Sequence, residues 1–125
     1  MNFKNNVVID KSFLFAVRII KLFQYLSNDK REYVLSKQIL RSGTSIGSNV
    51  EEAHGGISAS DFSNKISLAY KEAREIHYWL RLLFASGYIN KKIFDSLLYD
   101  CDELCKITFS ILNTSRIKKS KDIKK

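Results

Sequence analysis

Apolar residues recur at helical spacing along most of the chain, and the pattern separates into four segments. The third segment is the most regular, because apolar or small residues alternate at spacings of four and three from Phe62 to Gly87. This alternation is typical of a helix that packs along one seam of an antiparallel bundle. The sequence therefore predicts an all-α fold.

Turn and capping residues predict the bounds of the first two helices. The first helix is predicted to begin at residues 10–12, where Asp10 or Ser12 is a competent N-cap, and to end near Ser27. An extended lead-in is expected before it. The second helix is predicted to run from about residue 30 to residue 54, where a pair of glycines follows.

The last two helices have clearer ends. Several candidate N-caps lie at residues 58–61, and Gly87 is predicted to close the third helix in the left-handed conformation. Asn90 is predicted to cap the fourth helix. The inner face of that helix is predicted to carry Ile93, Leu97, Cys101, Leu104, Thr108, Ile111 and Leu112. Helices two to four are each expected to have roughly 25 residues, and short connections predict an up-down-up-down antiparallel four-helix bundle.

Two glycines, Gly43 and Gly47, lie in the apolar stripe of the second helix. Glycine inside a helix costs about 1 kcal/mol relative to alanine, so we expect a neighbouring helix to approach closely there. The small residues Ala69 and Ala73 of the third helix are the candidate neighbours. The alternative is that poor helix propensity is simply tolerated.

A row of polar residues, Arg41, Ser45, Asn49 and Glu52, lies beside the apolar stripe of the second helix. It faces a second row on the third helix, beside Trp79, and Arg41 is expected to pair with Glu72 or Glu75. Buried polar networks of this kind fix register more than they add stability. We therefore predict a structural polar lock formed by Arg41, Ser45, Asn49, Glu52, Glu72 and Glu75.

The first helix has more apolar surface than one core requires. Its apolar positions form two stripes, one of which is Phe13, Ala16, Val17 and Ile20 and the other Phe15, Ile19, Leu22 and Leu26. A helix that is apolar over most of its circumference is central in a large protein or shared with another subunit. We predict homo-oligomerisation, with a wholly intramolecular explanation as the alternative.

Length and composition predict one domain, residues 1–125, with a basic C-terminal tail at about residues 116–125. A chain of 125 residues can bury a core without disulfide or metal staples, and the absence of proline favours long helices. No apolar run approaches the roughly 20 residues that span a bilayer, and no signal peptide is recognisable. A cytoplasmic location without membrane association is the expectation.

The formal net charge of +8 is concentrated in the tail. Six basic residues against one acidic residue give residues 116–125 a net charge of +5. Such a tail can bind nucleic acid through phosphate contacts, and the alternative is a solvated helix end. The candidate nucleic-acid-binding residues are Arg116, Lys118, Lys119, Lys121, Lys124 and Lys125.

Residues with catalytic or metal-binding chemistry form no recognisable site. Cys101 and Cys105 could supply two metal ligands, but the only histidines, His54 and His77, lie in other helices. No nucleophile has a histidine base placed by local spacing, and no glycine-rich phosphate loop is present. We expect no enzymatic activity, no metal and no cofactor.

Two segments resemble the four-helix-bundle family of proteins encoded in intervening sequences of bacterial 23S ribosomal RNA genes. The first is QILRSGTSIGSNVEEA, residues 38–53, with an Arg, a Ser-Ile pair, an Asn and an acidic-small pair at the family's spacings. The second is LAYKEAREIHYWLRLLFASGYI, residues 68–89. The chain departs from the family at Gly47, where proline is frequent, and at Glu51 and Glu52, where Glu-Gly is usual.

The resemblance implies a four-helix protomer that assembles into a ring-like homo-oligomer, typically a pentamer, with a basic surface. It also implies kinship with the accessory variability protein of diversity-generating retroelements, which works with nucleic acid and a reverse transcriptase. Together with the tail, it favours binding of nucleic acid, with RNA as the expected partner. A protein-interaction scaffold that does not bind nucleic acid is the alternative.

Overall fold

A computed structural model describes residues 3–124 of the chain and the side chains of residues 5–115 and 117. The described residues form four α-helices and no strand. The helices are α1 (Phe3–Asn28), α2 (Leu35–His54), α3 (Ala59–Ala85) and α4 (Lys91–Lys124). The predicted all-α class is therefore confirmed.

Each helix contacts two others. Over the described residues, α1 packs beside α2 and α4, and α3 packs beside the same two helices, whereas no Cα atoms of the diagonal pairs, α1 with α3 and α2 with α4, come within 8 Å of each other. Lys11 of α1 pairs with Glu103, and Arg18, two turns later, pairs with Asp100 earlier in α4. This arrangement is consistent with a four-helix bundle around one central core.

All four helices contribute to that core. Side chains from one stripe of each helix are at most 8% exposed. The stripe on α3 and its counterparts on α2 and α4 are those expected from the sequence, although Leu35, Phe62 and Ile93 at the stripe ends are only partly buried. The largest fully buried side chains are Phe15, Ile19, Leu26, Ile39, Ile46, Ile66, Ile76, Leu80, Leu83, Leu104, Val8 and Val50.

The first helix begins earlier than its capping residues suggest. It starts at Phe3, so the expected lead-in is helical and neither Asp10 nor Ser12 is an N-cap. Ser12 is fully buried and its hydroxyl donates to the backbone oxygen of Ile9 at 3.2 Å. Val8 is also fully buried in the core. Packing of these additional two turns outweighs the low helix propensity of the β-branched residues there.

The second helix begins at Leu35, five residues later than expected. Arg31 adopts a positive φ of 53°, which directs the chain out of α1. The carboxylate of Glu32 then accepts hydrogen bonds from the backbone N–H groups of Val34 at 3.3 Å and Ser36 at 2.8 Å. A side chain outside the helix therefore satisfies the N–H group of the N-cap residue and one free N–H group of the first turn.

The ends of α3 agree with the sequence. Ser58 is the N-cap, and its hydroxyl accepts a hydrogen bond from the backbone N–H of Asp61 at 3.1 Å. Gly87 has a φ of 82°, and the following N–H of Tyr88 donates to the oxygen of Leu83 at 2.9 Å. The bond from Tyr88 satisfies a carbonyl in the last turn of the helix. The predicted left-handed glycine is confirmed.

The fourth helix is capped as predicted but is longer than expected. Asn90 accepts a hydrogen bond from the backbone N–H of Ile93 at 2.9 Å. Helices α2, α3 and α4 have 20, 27 and 34 residues, so the expected common length is wrong. The difference arises because α2 loses its first turn to a loop, while α4 continues through the basic tail.

The glycines of α2 lie against α1. A Cβ atom added at Gly43 would lie 2.6 Å from Cγ2 of Ile19, and one added at Gly47 would lie 3.3 Å from the backbone oxygen of Ser12. The predicted close approach is confirmed at both positions. The neighbour was predicted wrongly, because these nearest atoms belong to α1 and not to the small residues of α3.

Candidate functional site

The basic tail continues α4. Its backbone is helical as far as Lys124. The side chains of five predicted nucleic-acid-binding residues, Arg116, Lys118, Lys119, Lys121 and Lys124, lie outside the described part of the structure, as does all of Lys125. The structure therefore gives the path of the tail, and the assignment of its side chains to nucleic acid stays a prediction.

Arg41, Glu72, Glu75 and Trp79 form a polar cluster between α2 and α3. Arg41 Nη2 lies 3.2 Å from Oε1 of Glu75, and its Nη1 lies 3.7 Å from Oε1 of Glu72. The indole N–H of Trp79 also donates to Glu75, at 3.3 Å. The Arg41 side chain is 55% exposed, but that of Glu72 is only 15% exposed. One end of the cluster is thus solvated and the other is largely buried.

The buried end of this cluster affects the titration of Glu72. Burial raises the pKa of Glu72 and the nearby Glu75 raises it further, whereas Arg41 lowers it. Oε2 of Glu72 is buried and has no hydrogen-bond partner among the described residues. The ionised form of this carboxylate is therefore less favoured than that of a solvent-exposed glutamate.

The other members of the predicted lock lie outside the cluster. The hydroxyl of Ser45 donates to the backbone oxygen of Arg41 at 2.6 Å, and the amide of Asn49 donates to the backbone oxygen of Ser45 at 2.8 Å. Glu52 forms a separate ion pair of 2.7 Å with Lys65. The expected pairing of Arg41 with Glu72 and Glu75 is present, and a role in fixing register stays a prediction.

The α1 outer face consists of Phe13, Leu14, Val17 and Ile20. These side chains are 62%, 62%, 38% and 42% exposed, although all four are large and apolar. The other predicted stripe of α1, represented by Phe15, is in the core. The single chain thus buries one apolar stripe of α1 and leaves the other partly exposed to solvent.

A shallow groove between α1 and α4 adjoins this face. Leu14 and Phe15 line it together with Lys11, Asp100 and Glu103. The Lys11–Glu103 ion pair measures 2.8 Å, and the carboxylate of Asp100 is paired with a basic residue of α1. The groove is therefore lined by both apolar and charged side chains.

A third surface was not identified from the sequence. The α3 outer face consists of Lys71, Arg74, Tyr78 and Arg81, all of which are exposed. Their spacing of three, four and three residues places them on one side of a helix. That spacing is visible in the sequence, but the helix was assigned from its apolar seam and the basic residues on its opposite side were not considered as a site.

The cysteines and histidines form no metal centre in the described part of the chain. No group of three or more His, Cys, Asp and Glu residues there could hold a metal ion. Both cysteines are buried, and the Cys101 thiol donates to the backbone oxygen of Ala73 at 3.3 Å. The adjacent Cys105 thiol and burial both raise the pKa of Cys101. His77 instead contacts Asp102, at 3.1 Å.

None of the four helices, over the residues that the structure describes, combines the length and the apolar character that a membrane span requires.

No curated protein matches the chain. A solved structure from Bacteroides thetaiotaomicron, described as a protein of unknown function from the S23 ribosomal protein family, is 50% identical in sequence with a TM-score of 0.87. The match covers 89% of this chain and 99% of that one.

The family profile described as 23S rRNA-intervening sequence protein matches residues 4–110. This range includes both segments on which the resemblance was based, and extends from the start of α1 into α4. The solved relative from the S23 ribosomal protein family has the same fold as this chain, which agrees with the family match. The chain therefore belongs to the 23S rRNA-intervening sequence protein family.

Proposed function

We propose that this protein is a non-enzymatic, homo-oligomeric four-helix-bundle protein that binds RNA through a basic surface. In this proposal the protomer is an up-down-up-down bundle, and protomers assemble into a ring, with the pentamer favoured by the family resemblance. The protein acts in the cytoplasm and uses no metal or cofactor.

The concentration of charge in the tail carries the RNA-binding part of the proposal. Residues 116–125 have a net charge of +5, and α4 continues to Lys124 as a helix. Basic residues on an extended helix can contact several phosphates and release their counterions. The family name, which refers to 23S rRNA, favours RNA as the nucleic acid.

The α1 outer face supports self-association. Its four apolar side chains adjoin one another along two helical turns, and covering their exposed parts would gain a fraction of the roughly 1.5–3 kcal/mol that full burial of each such side chain provides. A second copy of the chain presents the same apolar surface, so contact between copies removes both surfaces from water. A ring would also place several tails on one RNA and raise the overall affinity.

The test compares the full chain with a variant that ends at Ser115. Leu112 is the last core residue that the structure describes, so this truncation leaves the described core in place. Binding of a structured RNA is measured by fluorescence anisotropy at several salt concentrations. The affinity of the full chain should fall steeply with salt: a plot of the logarithm of the binding constant against the logarithm of the salt concentration should have a slope of about −0.7 to −0.9 for each phosphate contact. The truncated chain should bind much more weakly.

Equal melting temperatures would establish that the truncated chain is folded. Absent binding, or binding by the full chain that does not depend on salt, would overturn the RNA-binding part of the proposal.

The second candidate is a protein-interaction scaffold that does not bind RNA. The α1 outer face favours it, because a large exposed apolar patch is also typical of a protein-binding surface. Purification of the protein with and without ribonuclease treatment separates the two. A protein partner that remains after nuclease treatment, together with failure to bind purified RNA, would support the scaffold.

A further inference from the structure

The α3 outer face concentrates positive charge on described residues, apart from the tail. Lys71, Arg74 and Arg81 are exposed and, within the part of the chain that the structure describes, none of them forms an ion pair. The Nε–H group of Arg81 donates only to the backbone oxygen of His77, at 3.4 Å. These cations are therefore available to an anionic ligand.

The acidic residues of the middle of α3 are directed elsewhere. Glu72 and Glu75 face α2, where both approach Arg41. On the other side, Nε2 of His77 lies 3.1 Å from Oδ1 of Asp102 in α4. Among the described residues, no carboxylate therefore forms an ion pair with the three cations of the α3 outer face.

An aromatic ring lies among these cations. Tyr78 is 50% exposed, and the guanidinium of Arg81 lies 5.7 Å from the centre of its ring. The indole of Trp79 contacts it edge-on, with ring centres 5.5 Å apart and an interplanar angle of 62°. Trp79 is itself held by its hydrogen bond to Glu75. The Tyr78 ring is thus contacted by neighbours on its own helix, while the residue as a whole remains half exposed.

We infer that the α3 outer face binds single-stranded nucleic acid, with the three cations on phosphates and the Tyr78 ring stacked on a base. This inference rests on the proposed RNA binding and specifies the class of substrate. Single-stranded bases can stack on aromatic side chains, whereas bases within a duplex already stack on one another. The basic tail has no aromatic residue, so it supplies affinity without this preference.

Tyr78→Leu tests the stacking contact in the full chain. The probes are a single-stranded oligouridine of about 20 nucleotides and an RNA duplex of equal length. Stacking contributes about 1–3 kcal/mol per base, so the single-strand affinity should fall roughly 5- to 150-fold. Duplex affinity should change by less than about twofold, since no unstacked base is available there.

Tyr78→Phe is the matched control, because it keeps the ring and removes only the hydroxyl. It should bind the single strand as the wild type does. Equal losses on single strand and duplex for Tyr78→Leu, or no loss on either, would overturn the stacking assignment. A single-stranded oligothymidine of the same length tests whether the face accepts DNA as well as RNA; equal affinity would assign it to single strands in general, and weaker binding would assign it to RNA.

The charge contribution is tested with Lys71→Gln combined with Arg74→Gln. Loss of two phosphate contacts should reduce the salt slope on the single strand by about 1.4, at about 0.7 per contact. The control combines Lys37→Gln with Lys92→Gln, two exposed lysines on other helices that form no ion pair among the described residues. Equal slopes for the two double variants would show that only net charge matters and would contradict the inference.

Failure of this inference is distinguishable from failure of the proposed function. If the wild type binds neither RNA probe, both are wrong. If the wild type binds, loses binding when residues 116–125 are removed, and is unaffected by the α3 substitutions, the proposed function stands and the α3 site is wrong.

Discussion

The two apolar faces of α1 have similar composition but different surroundings. The inner face, with Phe15 and Ile19, is closed against α2, where Gly43 leaves no space for a Cβ atom. The outer face, with Phe13 and Ile20, is 62% and 42% exposed at these positions. An apolar face on α1 therefore does not by itself show where that face is buried. The close approach of α2 at Gly43 shows which of the two faces is buried within the single chain.

The largest effect is expected from breaking the inner contact. Gly43→Leu would force the new side chain into Ile19, which lies 2.6 Å from the position of its Cβ atom. We expect the free energy of unfolding to fall by about 1–3 kcal/mol through overpacking, as measured by chemical denaturation. Gly55→Leu is the control, because a Cβ there would have no atom closer than 3.8 Å. Equal stability of the two variants would show that the inner contact is loose.

Breaking the outer face should affect assembly and not the protomer. Phe13→Lys combined with Ile20→Lys places two charges on the proposed contact between copies. Loss of two partly buried apolar side chains should weaken association at least about tenfold, since 1.4 kcal/mol corresponds to that factor. Sedimentation velocity at several concentrations measures the change.

The control for this pair is Val34→Lys with Ile57→Lys, which adds the same charge at side chains that are 72% and 97% exposed elsewhere. It should associate as the wild type does. Dissociation of both double variants would indicate general charge repulsion in place of a contact through the α1 outer face.

The polar contact on the other side of α2 gives a reference for the size of these effects. Arg41→Met removes both ion pairs of a side chain that is 55% exposed. Partly exposed ion pairs contribute about 0–1 kcal/mol, so the loss of stability should lie below about 1 kcal/mol. Lys37→Met on the same helix is the control. A loss larger than that of Gly43→Leu would make the polar cluster a larger determinant of the fold than the glycine contact.

The smallest effect is expected at Glu72. Because its pKa is raised in the folded protein above the ordinary value of 4.5, the folded state holds the proton more tightly than the unfolded chain does. Its contribution to stability therefore decreases as the pH rises from 4.5 through the folded pKa. Glu72→Gln should remove this decrease, and denaturation at a series of pH values measures it. Glu51→Gln, at an exposed position, should leave the pH dependence unchanged; a wild-type dependence in Glu72→Gln would refute the assignment.

Local signals predicted those parts of the fold whose causes are local. The ends of α3 follow from a hydroxyl at Ser58 and a positive φ at Gly87, and both are explained by their own neighbours in sequence. The start of α1 was missed because burial of Val8, a tertiary effect, extends the helix past two good N-caps. The start of α2 was missed because Glu32 caps it from outside the usual N-cap position.

The sites show the same division. The pairing of Arg41 with the glutamates of α3 followed from matching rows on adjacent helices. Ser45 and Asn49 do not join it, because short polar side chains in a helix readily bond to the backbone of the preceding turn. Which helix contacts Gly43 and Gly47 depends on how the four helices are arranged around α2. The spacing of apolar residues within α2 does not contain that information, so the contact with α1 was not predicted.

The central claim is that the protein is an oligomer that carries RNA. Native mass spectrometry of the purified full chain, with and without a stoichiometric structured RNA, tests both parts in one measurement. We expect a mass several times that of one chain, five chains being favoured, and a further increase equal to the mass of the RNA. A single-chain mass that is unchanged by RNA would contradict it.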